Sequence, residues 1–85
     1  MKVLIPSALQ SYTGRAWVEA RGGTLSEVLA DLDQQFPGIR FRMIDEQQAI
    51  RRHIRFFHRD QMVRTLSHPL DPDGQLMIVQ ALSGG

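Results

Sequence analysis

Gly22-Gly23-Thr24-Leu25-Ser26-Glu27-Val28-Leu29-Ala30-Asp31-Leu32-Asp33-Gln34-Gln35-Phe36-Pro37-Gly38 is the stretch on which the fold turns. The paired glycines break whatever precedes them. Thr24-Leu25-Ser26-Glu27 has the spacing of a capping box, in which the Thr24 hydroxyl accepts from the Glu27 N–H and the Glu27 carboxylate reaches back to the Thr24 N–H. Behind the cap, Leu25, Val28, Leu29, Leu32 and Phe36 fall at i, i+3, i+4, i+7 and i+11, which is one face of a helix. Pro37-Gly38 stops it. A helix with one apolar stripe must bury that stripe against a second layer.

That layer is read on both sides of the helix. Upstream, Lys2 to Pro6 sets Val3 and Ile5 against Lys2 and Leu4, a strand pattern with Pro6 near its end. Ser11-Tyr12-Thr13-Gly14 reads as a turn. Arg15 to Arg21 alternates again, with Ala16, Val18 and Ala20 against Trp17 and Glu19, so the two segments form an antiparallel hairpin with a loose loop. Downstream, Ile39 to Asp45 is one or two turns of a second helix, and Gln47 to Arg52 is a polar loop. Ile54-Arg55-Phe56-Phe57-His58 is a third strand, Arg59-Asp60-Gln61 a turn, and Met62-Val63-Arg64 a short return strand. Leu66 and Leu70 sit in a loop with Pro and Asp. Asp73-Gly74 opens a last strand, Leu76-Met77-Ile78-Val79, which runs on to Ala81-Leu82-Ser83-Gly84-Gly85. The first and last strands are the most uniformly apolar, which places them side by side, in parallel, at the sheet centre. This α+β order, a mixed sheet of four to five strands on one main helix, is the β-grasp layout.

Composition narrows the function. Eighty-five residues make one domain, and such a chain buries only about two-thirds of its unfolded surface. With 42% hydrophobic residues, wholesale disorder is ruled out. A net charge of +1 is no nucleic-acid footprint. No apolar run approaches the ~20 residues needed to span a membrane. Met1-Lys2-Val3-Leu4-Ile5-Pro6 is too short an apolar start for a signal peptide, which leaves the cytoplasm as the expected compartment. The chain has no cysteine, which excludes disulfides, thiolate zinc sites and a cysteine nucleophile. His53, His58 and His68 lack the i, i+4 spacing of a helical metal pair, so no metal site is expected. Gly22-Gly23 is followed by neither the Lys nor the Ser/Thr of a phosphate-binding loop. A chain this small suits a binding module or carrier better than an enzyme.

The sequence resembles the ubiquitin-like sulfur carriers of the MoaD/ThiS type over essentially its whole length. The likeness rests on Val3-x-Ile5-Pro6, Thr13-Gly14, Gly23-Thr24-Leu25-x-x-Val28-Leu29 and Phe36-Pro37-Gly38-Ile39. It continues through Arg59-Asp60-x-x-Val63-Arg64, Leu70, Asp73-Gly74 and Ser83-Gly84-Gly85. Ile5-Pro6-Ser7-Ala8-Leu9 and Tyr12-Thr13-Gly14 look more like the branch serving cysteine or thiocarboxylate-metabolite synthesis than the molybdopterin-synthase subunit. His58, where a Val-like residue is expected, and Gln80-Ala81, where some relatives have Pro, depart from the pattern.

The resemblance implies that residues 1–82 form a β-grasp body and 83–85 a tail whose reactive group is the Gly85 carboxylate. An E1-like partner would adenylate it with ATP and Mg, and sulfur would replace AMP to leave a thiocarboxylate. The chain itself would bind no cofactor and catalyse nothing. A sulfur-accepting synthase, of the PLP-dependent type in one branch, and a JAMM-type metalloprotease are the further partners implied. Leu82, Ser83 and Gly84 would be read with Gly85 in a narrow channel, because glycine alone lacks a Cβ and adopts φ of either sign. Four extended residues reach about 13 Å.

The strand pattern adds a docking face. Leu76 and Ile78 are expected to meet the helix and to leave Met77 and Val79 open, with Phe57 and Arg55 beside them and Leu4 near. Arg51-Arg52-His53-x-Arg55 is a basic cluster that reads as a solvated face or as a groove for an acidic partner. Three other functions remain open: a modifier joined through Gly85 to lysines, a small synthase subunit, and an interaction module without tail chemistry.

Overall fold

The computed structural model describes residues 1–81. The strands are β1 (Lys2–Leu4), β2 (Trp17–Glu19), β3 (Ile54–His58), β4 (Gln61–Val63) and β5 (Gln75–Gln80), in the order β2-β1-β5-β3-β4. β1 and β5 are neighbours and parallel, while the other pairs are antiparallel. The helices are α1 (Gln10–Thr13) and α2 (Leu25–Gln35), with 3₁₀ turns at Ser7–Leu9 and Arg40–Arg42. None is long and apolar enough to cross a membrane.

The stripe of α2 lies on the sheet. Leu25, Val28, Leu29 and Leu32 are wholly buried, as are Val3, Phe56 and Leu76. Burying each large aliphatic contributes about 1.5–3 kcal/mol before chain entropy is set against it. The Thr24 hydroxyl accepts from the Glu27 N–H at 3.2 Å. The other half of the expected cap differs: the Glu27 carboxylate accepts from the Gly23 N–H at 2.7 Å, not from Thr24. Thr24 instead bridges to Pro69, and the N–H groups of Leu25 and Ser26 donate to the carbonyls of His68 and Leu66. The first turn of the helix is thus satisfied by the long loop before β5.

Gly22 makes this close approach possible. Its φ is +154°, and a Cβ there would lie 2.6 Å from the Val28 nitrogen. Between β1 and β2 the expected turn at Ser11–Gly14 is instead a 3₁₀ turn followed by α1, closed by Gly14. The two strands are correspondingly shorter than their alternation predicts. Ile39–Asp45 supplies only the 3₁₀ turn, yet Ile39, Met43 and Ile44 are all buried. The β3–β4 hairpin turns on Arg59 and Asp60, both at positive φ (51° and 65°), as a tight two-residue connection requires.

His58, which departs from the family's Val-like pattern, is a buried hydrogen-bonding post at the end of β3. The Asp71 N–H donates to its Nε2 at 2.9 Å, and Nδ1 lies 3.0 Å from the Gln75 carbonyl. A nitrogen that accepts carries no proton, so the ring is neutral with its proton on Nδ1. Gly74 lies against this ring, and a Cβ there would come within 2.6 Å of His58 Cε1. In the polar loop, the Asp45 carboxyl is held below its usual range, chiefly by the Ala49 N–H. The ionised form therefore steadies this turn, and the support fades as pH falls through that lowered value.

Long-range ¹H–¹⁵N spectra are expected to show the Nδ1–H tautomer for His58; a dominant Nε2–H form would contradict the bonding described. Gly22→Ala should lower stability by about 1–3 kcal/mol, because backbone rather than a movable side chain fills the space. Denaturant unfolding measures it.

Candidate functional site

The site has two parts, the end of β5 and the sheet face turned away from α2. β5 is the central strand, flanked by β1 and β3. Its last ladder pair is Gln80 with Ile54, and the Ala81 N–H then donates to the His53 carbonyl at 2.7 Å. The main chain is therefore held as far as Ala81, at the edge of the folded body. Leu82, Ser83, Gly84 and Gly85, and the body–tail boundary at 82/83, lie outside the described residues.

The open face arises from period two along each strand. Leu76 and Ile78 point to the helix and are buried, whereas Met77 and Val79 are 40% and 39% exposed. Register then aligns residues across strands. Leu4 stands opposite Trp17 on one side and Met77 on the other, and Phe57 opposite Met77 on one side and Met62 on the other. Trp17, Leu4, Met77, Phe57 and Met62 thus form one row spanning all five strands. Leu4 and Phe57 are half-buried, and Trp17 and Met62 are 42% and 36% exposed. An apolar band of this kind on an otherwise polar surface suits a protein contact.

Val79 is paired with Arg55, whose Nη1 donates to the carbonyls of Arg52 and Ile54 and so fixes the guanidinium at the rim. At the other end, a shallow concavity of about 500 Å³ is lined by Phe57, Met77, Gly74, Gln75, Asp60 and Arg59. Arg59 pairs with Asp71 at 2.8 Å, an exposed contact worth at most about 1 kcal/mol.

All five residues expected on the partner face (Phe57, Met77, Val79, Arg55 and Leu4) are on this surface. Trp17 and Met62 were not among them. Their strand alternation already puts them on the open side, but only the register between strands brings them into the row. Among the described residues, no group of three or more His, Asp or Glu side chains is placed to hold a metal.

Comparison with known proteins bears on this arrangement. The model of the ThiS family matches residues 3–85. The structure superposes on CysO from Amycolatopsis orientalis, in a BexX/CysO complex, with a TM-score of 0.90 and 32% identity over 99% of this chain and 98% of that one. CysO from Mycobacterium tuberculosis gives 0.88 and 29% identity over 95% and 98%. SAMP1 from Haloferax volcanii gives 0.77 and 19% identity over 100% and 98%, a likeness of fold. Among curated protein sequences none matches the chain. A β-grasp body, with its central strand directed to a Ser83-Gly84-Gly85 end, and a family match running through Gly85 place the chain in the ThiS family of ubiquitin-like sulfur carriers.

Proposed function

We propose that the chain works in the cytoplasm as a sulfur carrier whose cargo rides on the Gly85 carboxylate. The observation that carries this reading is the family match, which extends through Gly84-Gly85. A carboxylate oxygen attacks the α-phosphorus of Mg-bound ATP in an E1-like enzyme, and pyrophosphate leaves. A persulfide sulfur on a partner then attacks the acyl carbon and expels AMP. A second thiol reduces the acyl disulfide, leaving the thiocarboxylate on Gly85 and a disulfide on the partner. The product is a soft nucleophile for delivery to an acceptor held by a synthase. The chain supplies the atom and the handle, while its partners supply catalysis, ATP and Mg.

The two CysO proteins, aligned nearly end to end at 32% and 29% identity, support the branch serving cysteine or thiocarboxylate-metabolite synthesis. That branch brings a PLP-dependent synthase and a JAMM-type metalloprotease as partners. One of these CysO proteins is seen in complex with BexX. The same kind of docking here uses the apolar row, with Trp17 and Met62 added to Leu4, Phe57 and Met77, and Arg55 and Val79 at its rim.

Incubation with an E1-like enzyme, ATP, Mg and a sulfur donor should raise the intact mass by about 16 Da, as sulfur replaces one oxygen. Deleting Gly85 should abolish the gain, and loading that survives the deletion would refute the reading. Isopeptide adducts on other proteins would favour a modifier instead. Met77→Glu should raise the KM for the carrier in adenylation by about tenfold or more while leaving Tm unchanged, since a charge would enter the centre of the contact.

A further inference from the structure

One strongly charged surface lies beside the apolar row and shares only Met62 and Arg55 with it. β3 has five residues, but β4 pairs only with Phe56, Phe57 and His58. Beyond Val63 no strand among the described residues covers Ile54 and Arg55 on their outer side. The space left is an open groove of about 600 Å³, and Arg51, Arg52, Arg55 and Arg64 stand around it. Its apolar surface comes from Ile50 and Met62, with Ile54 and Val63 buried beneath. The only ion pair between side chains among the described residues joins Arg59 to Asp71, so none of these four guanidiniums meets a carboxylate there.

Two of the four are already held in place. Arg51 Nε donates to the Phe41 carbonyl at 2.7 Å, and its guanidinium lies 4.6 Å from the centre of the exposed Phe41 ring. Arg55 is fixed by the Arg52 and Ile54 carbonyls. Fixed cations lose little freedom on binding, and each keeps further N–H donors free for a carboxylate. Such concentrated charge, of which only Arg51 feels a nearby carboxylate (Asp45), is complementary to a partner rather than a general coating in a chain of net charge +1.

We infer that this groove is a second docking site, for an extended acidic segment of a partner protein in which apolar residues alternate with carboxylates. The apolar floor selects a peptide over nucleic acid, since a phosphate backbone has nothing to place on Ile50 and Met62. Position gives the groove its use. Ile54 and Arg55 pair with Gln80 and Val79, and the His53 carbonyl holds Ala81, so the groove borders Ala81, the last described residue. An enzyme receiving the tail comes over it; naming the partner as that enzyme rests on the proposed function, whereas the binding chemistry does not.

The test needs only this chain. The ¹⁵N-labelled protein is titrated at neutral pH with a short synthetic peptide of alternating glutamate and leucine, and separately with oligothymidylate and with inorganic phosphate. The peptide should shift amides of Ile50–Arg55 and Met62–Arg64. Affinity should fall about tenfold in Arg51→Ser/Arg52→Ser/Arg64→Ser, the sum expected of three exposed charge contacts outside the apolar row, and hold in Arg15→Ser/Arg21→Ser. Shifts centred on the Trp17–Met62 row, or affinity unchanged by the triple substitution, would overturn the inference. Tighter binding of oligothymidylate in the groove, or equal binding of phosphate alone, would overturn it as well. The mass gain on sulfur loading is read separately, so failure of the groove and failure of the carrier role are distinguishable.

Discussion

Parallel pairing of β1 with β5 is the contact on which the rest depends. It joins the two ends of the described chain through Val3–Leu76 and Leu4–Met77, and everything between must pass around it. The connection includes α2, and packing its stripe over Val3, Leu76 and Ile78 seals one face of the sheet. The other face is left without a helix. A strand of period two that buries Leu76 and Ile78 must therefore turn Met77 and Val79 outward, on the strand that leads to Gly85. Core and open apolar face are two sides of one element.

The long loop before β5 is the second constraint. It gives carbonyls to the first turn of α2, donates from the Leu70 N–H to the Gly23 carbonyl, and donates from the Asp71 N–H to His58. Polar bonds here supplement the packing of Leu66 and Leu70, the loop's two leucines, against the core. His58 is the pivot of this set, which explains a titratable ring where an aliphatic residue would pack as well.

Much of this could be read from the residues. The helix, its hydroxyl cap and the inward set of each strand obey local periods that no distant contact had to correct. The parallel centre was legible because the most apolar strands lie at the two ends. What escaped was non-local. Ser7–Thr13 is helical although its Ser, Tyr and Thr are good turn formers. Glu27 bonds the Gly23 N–H where the Thr24 strand segment bridges to Pro69, forty-five positions on. Trp17 and Met62 enter the apolar row only through pairings between strands distant in sequence. The groove of four arginines needed β4 to end before β3 does, a difference in length that composition does not reveal.

The shortness of the outer strands has one more consequence. β2 and β4 each have three residues, with Arg15 and Glu19 on one flank and Asp60 and Arg64 on the other. A border so brief and so ionic offers too few rungs for a second molecule to extend the sheet. A greasy face can thus lie bare without inviting a second molecule to extend the sheet along its edges.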